Sequence, residues 1–200
     1  MPDNHDSPVP PPQDPSSWTD VQTWRKAERQ RLLDLRMRLT AEQRVVCSQS
    51  IIVKATLAIG GLAGRIVSLY WPFKGEPDLR DWVGDIIAGG GQVALPVVVQ
   101  KQQPLAFRLW RPGDPLERGV WNILVPSTGA SVMPDVVIAP LVGFDANHFR
   151  LGYGGGFFDR TLAAAPAKPL VIGVGYEQCR IASIYPQPHD IPMDIIVTEQ

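Results

Sequence analysis

The stretch GFDANHFRLGYGGGFFDR, residues 143–160, decides how the rest of the chain is interpreted. It follows the apolar run VVIA (136–139), which predicts a buried strand, and leads into residues 157–165, which predict a helix. A glycine-rich turn between strand and helix lets backbone N–H groups converge on an anion, and the helix dipole adds to the attraction. The stretch therefore predicts a phosphate site at the end of a strand.

Two charged residues flank the glycines and sharpen this interpretation. Arg150 can neutralise phosphate oxygens, and Asp159 can hold a divalent metal that bridges them. Neither common nucleotide motif is present, because no Gly-Lys-Ser/Thr follows the glycines and Phe157 stands where the dinucleotide fingerprint has its third glycine. The alternative is a tight connection whose glycines only supply positive backbone angles.

Composition narrows the function classes. The chain has 200 residues and a formal net charge of -1, so its overall charge favours neither nucleic acid nor anionic membranes as a partner. The polar start lacks the regions of a secretory signal, and no apolar run is long enough to span a bilayer, so we expect a cytoplasmic protein. Cys47 and Cys179 form no pattern typical of a disulfide framework or a zinc site.

The N-terminal part divides into a tail and a helix. Residues 1–17 are rich in proline and polar residues, which predicts a disordered tail, and residues 18–200 are predicted to form one domain. A helix follows the capping residue Ser17, and its apolar stripe indicates that it packs on a core. Arg25, Arg29 and Arg36 lie along one flank of that stripe. By itself, this flank is typical of a solvated basic surface.

The remaining pattern alternates helices and strands. Helices are predicted at 41–59 and 79–88, and strands at 65–70, 92–98, 105–110 and 169–175. This alternation favours a three-layer α/β/α sandwich with a mostly parallel sheet, and the glycine loop lies at the end of one strand.

Several segments resemble one family in the same order along the chain. They are PLVGFD (140–145), RLGYGGGFFDR (150–160), WPFKGEPD (71–78), WNILVP (121–126) and PHDIPMDIIVTE (188–199). Together they are similar to the 5-formyltetrahydrofolate cyclo-ligase family over roughly residues 20–199. The resemblance implies a fold like that of the ribose-phosphate isomerase and CoA-transferase group.

The resemblance also implies a reaction. Cyclo-ligases close 5-formyltetrahydrofolate to 5,10-methenyltetrahydrofolate while ATP becomes ADP and phosphate, with magnesium as the metal. In that chemistry ATP first phosphorylates the formyl oxygen, and a neighbouring folate nitrogen then attacks the activated carbon. The resemblance implies 5-formyltetrahydrofolate, including its polyglutamylated form, and ATP as partners, and no nucleic acid or membrane.

The family's site residues carry over to matching positions. The catalytic residues implied are Arg25, Arg29 and Arg150, which with the loop would bind ATP; the loop residues are Gly152, Tyr153, Gly154, Gly155, Gly156, Phe157 and Phe158. The implied folate contacts are Trp71, Glu76, Trp121 and Tyr153. The implied metal ligands are Asp159 and Asp190.

Some of these residues have simpler interpretations. Trp121 could fill a core, and Glu76 and Asp78 could merely favour the start of a helix, or Asp78 could do so while Glu76 binds the ligand. Two positions depart from the family pattern, because Phe158 lacks a hydroxyl that relatives commonly carry there and Leu124 replaces a proline. A paralogue that binds folate or nucleotide with low or no turnover is therefore the alternative. Nucleic-acid binding through the arginine-rich helix is a weaker one.

Overall fold

The computed structural model describes residues 7–200. Within them the helices are α1 (Trp18–Met37), α2 (Ala41–Ile59), α3 (Trp82–Ala88) and α4 (Phe157–Ala164). The strands are β1 (Ile66–Ser68), β2 (Gln92–Val97), β3 (Ala106–Leu109), β4 (Leu116–Arg118), β5 (Leu124–Pro126), β6 (Ser131–Val132), β7 (Val136–Pro140), β8 (Gly143–Phe144), β9 (Arg150–Leu151), β10 (Leu170–Val174) and β11 (Ile195–Val197).

The central sheet contains seven strands in the order β11-β10-β7-β1-β2-β3-β6. The first five run parallel to one another, whereas β3 is antiparallel to β2 and β6 is antiparallel to β3. The carboxyl ends of β1, β7 and β10 therefore lie along one edge of the sheet. Open α/β sheets bind ligands at this edge.

Helices cover both faces of the sheet, because successive residues of a strand point to opposite sides. On one face Val67 packs in a core with Ile51 of α2 and Trp82 of α3, both almost fully buried. On the other face Val137 packs with Leu162 of α4. Burying each large apolar side chain contributes about 1.5–3 kcal/mol. The prediction of a mixed α/β fold with a mostly parallel sheet is confirmed.

Helix α1 lies at the carboxyl edge of the sheet. Leu32 and Leu33 pack in a separate core with Leu151 of β9 and with Tyr176 and Ile184, which belong to connections at this edge. The predicted apolar stripe is thus buried, but against these segments rather than against the face of the sheet. This position brings the arginines on the flank of α1 toward the ends of the parallel strands.

The predicted elements differ from the structure mainly at their ends. The helix predicted at 41–59 is confirmed, and Thr40 and Gln43 form its capping box. The helix predicted at 79–88 begins only at Trp82, because the chain first makes a turn in which the Trp82 N–H donates to the Leu79 carbonyl. The carboxylate of Asp78, expected to favour the start of that helix, instead pairs with Arg80 at 2.5 Å.

The segment before α1 packs against that helix. Residues 1–6 of the predicted tail lie outside the described residues, and residues 7–17 contain no helix or strand. The Val9 N–H donates to Glu28 Oε2 at 3.3 Å, and Trp24 Nε1 donates to the Val9 carbonyl at 3.3 Å. That residues 1–17 form a disordered tail stays a prediction. The contacts of Val9 with α1 differ from what a disordered segment would make. None of the helices from residue 7 onward could cross a bilayer.

Candidate active site

The glycine loop leaves the sheet through a short hairpin. Strand β7 is followed by the pair β8 and β9, and the loop then runs from Gly152 to the first turn of α4. The buried carboxylate of Asp145 accepts hydrogen bonds from the N–H groups of Asn147, Phe149 and Ile184, at 3.0 to 3.1 Å. These bonds fix the position from which the glycine loop starts.

The loop requires glycine at particular positions. Gly154 and Gly156 have φ angles of 89° and 61°, in the left-handed region that favours glycine. A Cβ at Gly152 would lie 2.6 Å from Nη1 of Arg150. The glycines thus serve the turn and the close approach of a guanidinium, as both interpretations of the motif require.

A polar cleft of about 770 Å³ opens beside the loop. We call it the polar cleft; it is bounded by α1, the glycine loop, the start of α4 and the segment 188–191. The predicted nucleotide and metal residues that line it are Arg25, Arg29, Arg150, Gly152, Tyr153, Gly154, Gly155, Gly156, Asp159 and Asp190. Residues as far apart as 25 and 190 in sequence therefore meet in one cleft.

Arg29 contributes an unneutralised positive charge to the polar cleft. Its Nε donates to the Gly152 carbonyl at 2.6 Å, and a Cβ at Gly154 would lie 3.4 Å from its Nη2. Within the described part of the chain, no carboxylate forms a salt bridge with Arg29. Burial and the neighbouring Arg25 lower the pKa of Arg29. A bound anion would stabilise the charged guanidinium and so counteract both the burial and the repulsion from Arg25.

The other two predicted catalytic arginines are paired with the two predicted metal ligands. Arg25 Nη2 lies 2.5 Å from Asp190 Oδ2 and also donates to the Tyr185 carbonyl at 2.9 Å. Arg150 Nη2 lies 2.8 Å from Asp159 Oδ2. Although burial opposes it, the hydrogen bonds from Arg25 lower the pKa of Asp190.

The two carboxylates differ in their capacity to hold a metal. Among residues 7–200, Asp159 accepts two hydrogen bonds, from Arg150 and from the Ile191 N–H, whereas a carboxylate can accept about four. Asp190 accepts two bonds from Arg25 and one from the Gln187 N–H. Its oxygens therefore mainly position that arginine. No cluster of three or more acidic, histidine or cysteine side chains that could hold a metal ion occurs in residues 7–200. Asp159 therefore fits a magnesium ion that arrives with a nucleotide, since Mg²⁺ needs only one or two carboxylates there.

A second cavity, the apolar pocket, has a volume of about 130 Å³ and lies on the other side of the glycine loop. The predicted folate contacts that line it are Trp71, Glu76, Trp121 and Tyr153. The rings of Phe73 and Trp121 are nearly parallel, 10° apart, with centroids separated by 6.5 Å. Trp121 is half-exposed, so it walls the pocket rather than filling a core. Leu124 lines the pocket as well.

Glu76 is the only acidic side chain among the described residues that line the apolar pocket. It is 5% exposed, and its oxygens accept from the Tyr153 hydroxyl at 2.8 Å and from the Phe73 N–H at 2.9 Å. Burial raises the pKa of Glu76 to about 7, although Arg36 acts in the opposite direction. A carboxyl with this pKa is partly protonated and partly ionised near neutral pH.

The polar cleft and the apolar pocket share a wall. Arg150, Tyr153, Gly155 and Gly156 line both cavities. The Arg150 guanidinium carbon lies 5.2 Å from the ring centre of Phe158. A group bound at the inner end of the polar cleft would thus lie directly beside a molecule in the apolar pocket.

Comparison with known proteins identifies the family of the chain. The model of the 5-formyltetrahydrofolate cyclo-ligase family matches residues 21–199. The chain belongs to that family. A 5-formyltetrahydrofolate cyclo-ligase of Haemophilus influenzae is 31% identical over 182 residues, which cover 86% of this chain and 97% of that protein. One from Escherichia coli is 30% identical over 171 residues, covering 82% and 93%.

Solved structures of similar proteins have the same fold. The 5,10-methenyltetrahydrofolate synthetase of Aquifex aeolicus superposes with a TM-score of 0.75 at 28% identity, covering 88% of this chain and 90% of that one. The synthetase of Mycoplasma pneumoniae gives a TM-score of 0.73 at 22% identity, covering 88% and 99%, a likeness of fold alone. This cyclo-ligase family member therefore has the mixed α/β architecture of those synthetases.

Sequence reasoning missed one buried residue of the cyclo-ligase site. Arg36 was predicted only as part of the basic flank of α1, yet it is 1% exposed. Its Nε donates to the Lys74 carbonyl at 2.9 Å, Nη1 to the Leu141 carbonyl at 3.1 Å and Nη2 to the Tyr153 hydroxyl at 2.6 Å. Arg36 thereby ties α1 to the apolar pocket, to the segment after β7 and to the glycine loop. Backbone carbonyls give no signal in a sequence, so no pattern could have identified these partners.

Proposed function

We propose that this protein closes 5-formyltetrahydrofolate to 5,10-methenyltetrahydrofolate with conversion of ATP to ADP and phosphate. The observation that carries the proposal is the wall shared by the two cavities. It allows the terminal phosphate of ATP, in the polar cleft, to lie beside a formyl group at the mouth of the apolar pocket. Phosphoryl transfer depends mainly on such alignment and on neutralising charge.

The reaction needs an activated formyl oxygen. That oxygen is a poor leaving group, so it attacks the γ-phosphorus of ATP and ADP departs. The neighbouring folate nitrogen then adds to the formyl carbon and loses its proton to solvent, and the C–O bond breaks with release of inorganic phosphate. The five-membered methenyl ring results, and no covalent bond to the protein is formed.

The chain's own residues supply charge and orientation for these steps. Arg150, in the shared wall, would stabilise negative charge on the phosphoryl group in transfer, and Arg29 would hold the remaining phosphates with the glycine-loop amides. Arg25 is positioned for the same task by Asp190. Magnesium held through Asp159 would supply further charge neutralisation on phosphate oxygens.

The apolar pocket would hold the pterin. Phe73 and Trp121 offer flat apolar surface to a ring, and Trp71 closes another side. Glu76, once ionised, can accept paired hydrogen bonds from neighbouring N–H groups of the pterin. Because the Tyr153 hydroxyl occupies one of its oxygens, pterin binding would exchange a bond within the protein for one to the ligand.

Finer expectations stay predictions. They are the kinship of the fold with the ribose-phosphate isomerase and CoA-transferase group, the polyglutamylated form of the folate, the absence of nucleic-acid and membrane partners, and a cytoplasmic location. The individual roles given to the site residues have the same standing, with the geometry above as their support.

The test is an assay of ring closure with purified protein, 5-formyltetrahydrofolate, ATP and magnesium, followed by absorbance of the methenyl product. We expect ATP-dependent product from the wild type and none above background from Arg150→Ala. A different result is that the folded wild type forms no product at high enzyme concentration while calorimetry still detects ligand binding. That result would support the non-catalytic paralogue instead.

A further inference from the structure

One face of α1 lines the polar cleft along its length. Besides Thr23 and Lys26, the α1 side chains that line the cleft are Trp18, Gln22, Arg25 and Arg29. These four are spaced by four, three and four residues, so they lie above one another along the helix. Their chemistry changes in order from an aromatic ring through an amide to two guanidinium groups. A nucleoside triphosphate has the same order of groups, from base to phosphates.

The shared wall fixes which end of the cleft takes which group. If the terminal phosphate lies beside Arg150 and Gly155, the α-phosphate and ribose must extend away from the apolar pocket. Arg29 contacts the glycine loop, and Trp18 is eleven residues earlier, about 16 Å along the helix axis at 1.5 Å per residue. The base is thereby directed toward the first turn of α1.

An exposed aromatic corner lies at that far end. Trp18 is 43% exposed, and its ring meets that of His189 edge to face with centroids 5.7 Å apart. The His189 side chain is 65% exposed. The Arg25 guanidinium carbon lies 5.7 Å from the centre of the Trp18 ring, and Asp190, next to His189, holds that guanidinium. The corner is thus anchored by the ion pair between the two segments that form it.

We propose that Trp18 and His189 form the nucleobase subsite of this protein, with Gln22 facing the edge of the base. The proposal rests on the proposed function, which places a nucleotide in the polar cleft. Every base has a flat face that packs well on an aromatic ring. The amide of Gln22 offers a donor and an acceptor, the pair that matches the exocyclic amine and ring nitrogen of adenine.

Calorimetric titrations with ADP and with inorganic pyrophosphate distinguish the contribution of the base to binding affinity from that of the phosphates. For Trp18→Ala we expect the Kd for ADP to rise about tenfold, as for the loss of one base–aromatic stack, while the Kd for pyrophosphate stays unchanged. Trp18→Phe keeps a ring and should stay close to the wild-type affinity for ADP. His189→Ala changes a loop residue and leaves the sequence of α1 intact, and it should weaken ADP binding selectively as well.

Two outcomes would overturn the subsite. One is an unchanged Kd for ADP in both alanine variants; the other is a parallel loss of ADP and pyrophosphate affinity in both, which would show damage to the phosphate end. Gln22→Leu tests the edge contact, since it should reduce the preference for ADP over GDP.

The subsite and the ring-closing function can fail separately. Turnover by the wild type, with the KM for ATP unchanged in Trp18→Ala and His189→Ala, would remove the subsite and leave the function. Selective loss of ADP binding in these variants, without ring closure by the wild type, would remove the function and leave the subsite.

Discussion

The buried carboxyl of Glu76 makes the stability of the unliganded protein depend on pH. Its pKa lies at about 7 in the folded protein, because burial penalises the charged form, against an ordinary value of 4.5. One pKa unit corresponds to about 1.4 kcal/mol, so holding Glu76 ionised in the folded state costs about 3 kcal/mol at most. The folded state binds the proton more tightly than the unfolded state between these two values. Stability therefore falls as pH rises from 4.5 to 7.

Glu76→Gln removes this ionisation and keeps an oxygen that can accept from the Phe73 N–H. We expect little change in unfolding free energy at pH 4.5 or below, and stabilisation of the unliganded protein by up to about 3 kcal/mol at pH 8. The same variant should bind 5-formyltetrahydrofolate more weakly, because a neutral amide cannot accept paired bonds from the pterin. Urea unfolding at the two pH values measures the first effect, and calorimetry measures the second.

A matched control is Glu117→Gln, since the Glu117 side chain is 57% exposed. It should change neither the pH dependence of unfolding nor folate binding, as expected of an exposed ion pair. A Glu76→Gln effect of the same size at both pH values would refute the burial argument. Undiminished folate affinity would refute the role of Glu76 in the pocket.

Three further substitutions test other contacts. Asp190→Ala leaves a buried arginine without its carboxylate, so urea unfolding should show a loss of about 3 kcal/mol and kinetics a higher KM for ATP; an unchanged KM would argue against that arginine as a phosphate ligand. Phe158→Tyr adds the hydroxyl that relatives commonly carry to a ring that lines the apolar pocket and lies 5.2 Å from the Arg150 guanidinium carbon. It should raise kcat roughly tenfold in the closure assay, and an unchanged kcat would show that the hydroxyl has no role. Gly143→Ala would place a Cβ 2.5 Å from Leu32 Cδ1, and overpacking should cost about 1–3 kcal/mol in urea unfolding, whereas Gly61→Ala, with no atom within 4 Å, should not.

The spacing of apolar residues along the sequence predicted the main helices and strands, because a surface helix buries only one side in a core, whereas a central strand buries both. The apolar run 136–139 lies in β7 at the centre of the sheet, and the capping box at Thr40 marks the start of α2. Strands β8 and β9 have two residues each, too few for an alternating pattern, so the hairpin that carries the glycine loop was not predicted.

The position of α1 was harder to predict than its existence. Its stripe indicated a buried face, but a stripe does not say what it packs against, and Leu32 meets loop residues at the carboxyl edge. The prediction that Arg25 and Arg29 lie near the glycine loop depended on the family resemblance, since the charge pattern alone favoured a solvated surface. The pairing of Arg25 with Asp190 and the buried bonds of Arg36 depend on long-range contacts that no local pattern encodes.

We propose that the two cavities bring a phosphoryl group to the formyl oxygen. An isotope experiment uses 5-formyltetrahydrofolate whose formyl oxygen is labelled with heavy oxygen. We expect the label to leave in inorganic phosphate, in step with the methenyl product, because the formyl C–O bond breaks after phosphorylation. Label released as water, with unlabelled phosphate, would contradict this proposal.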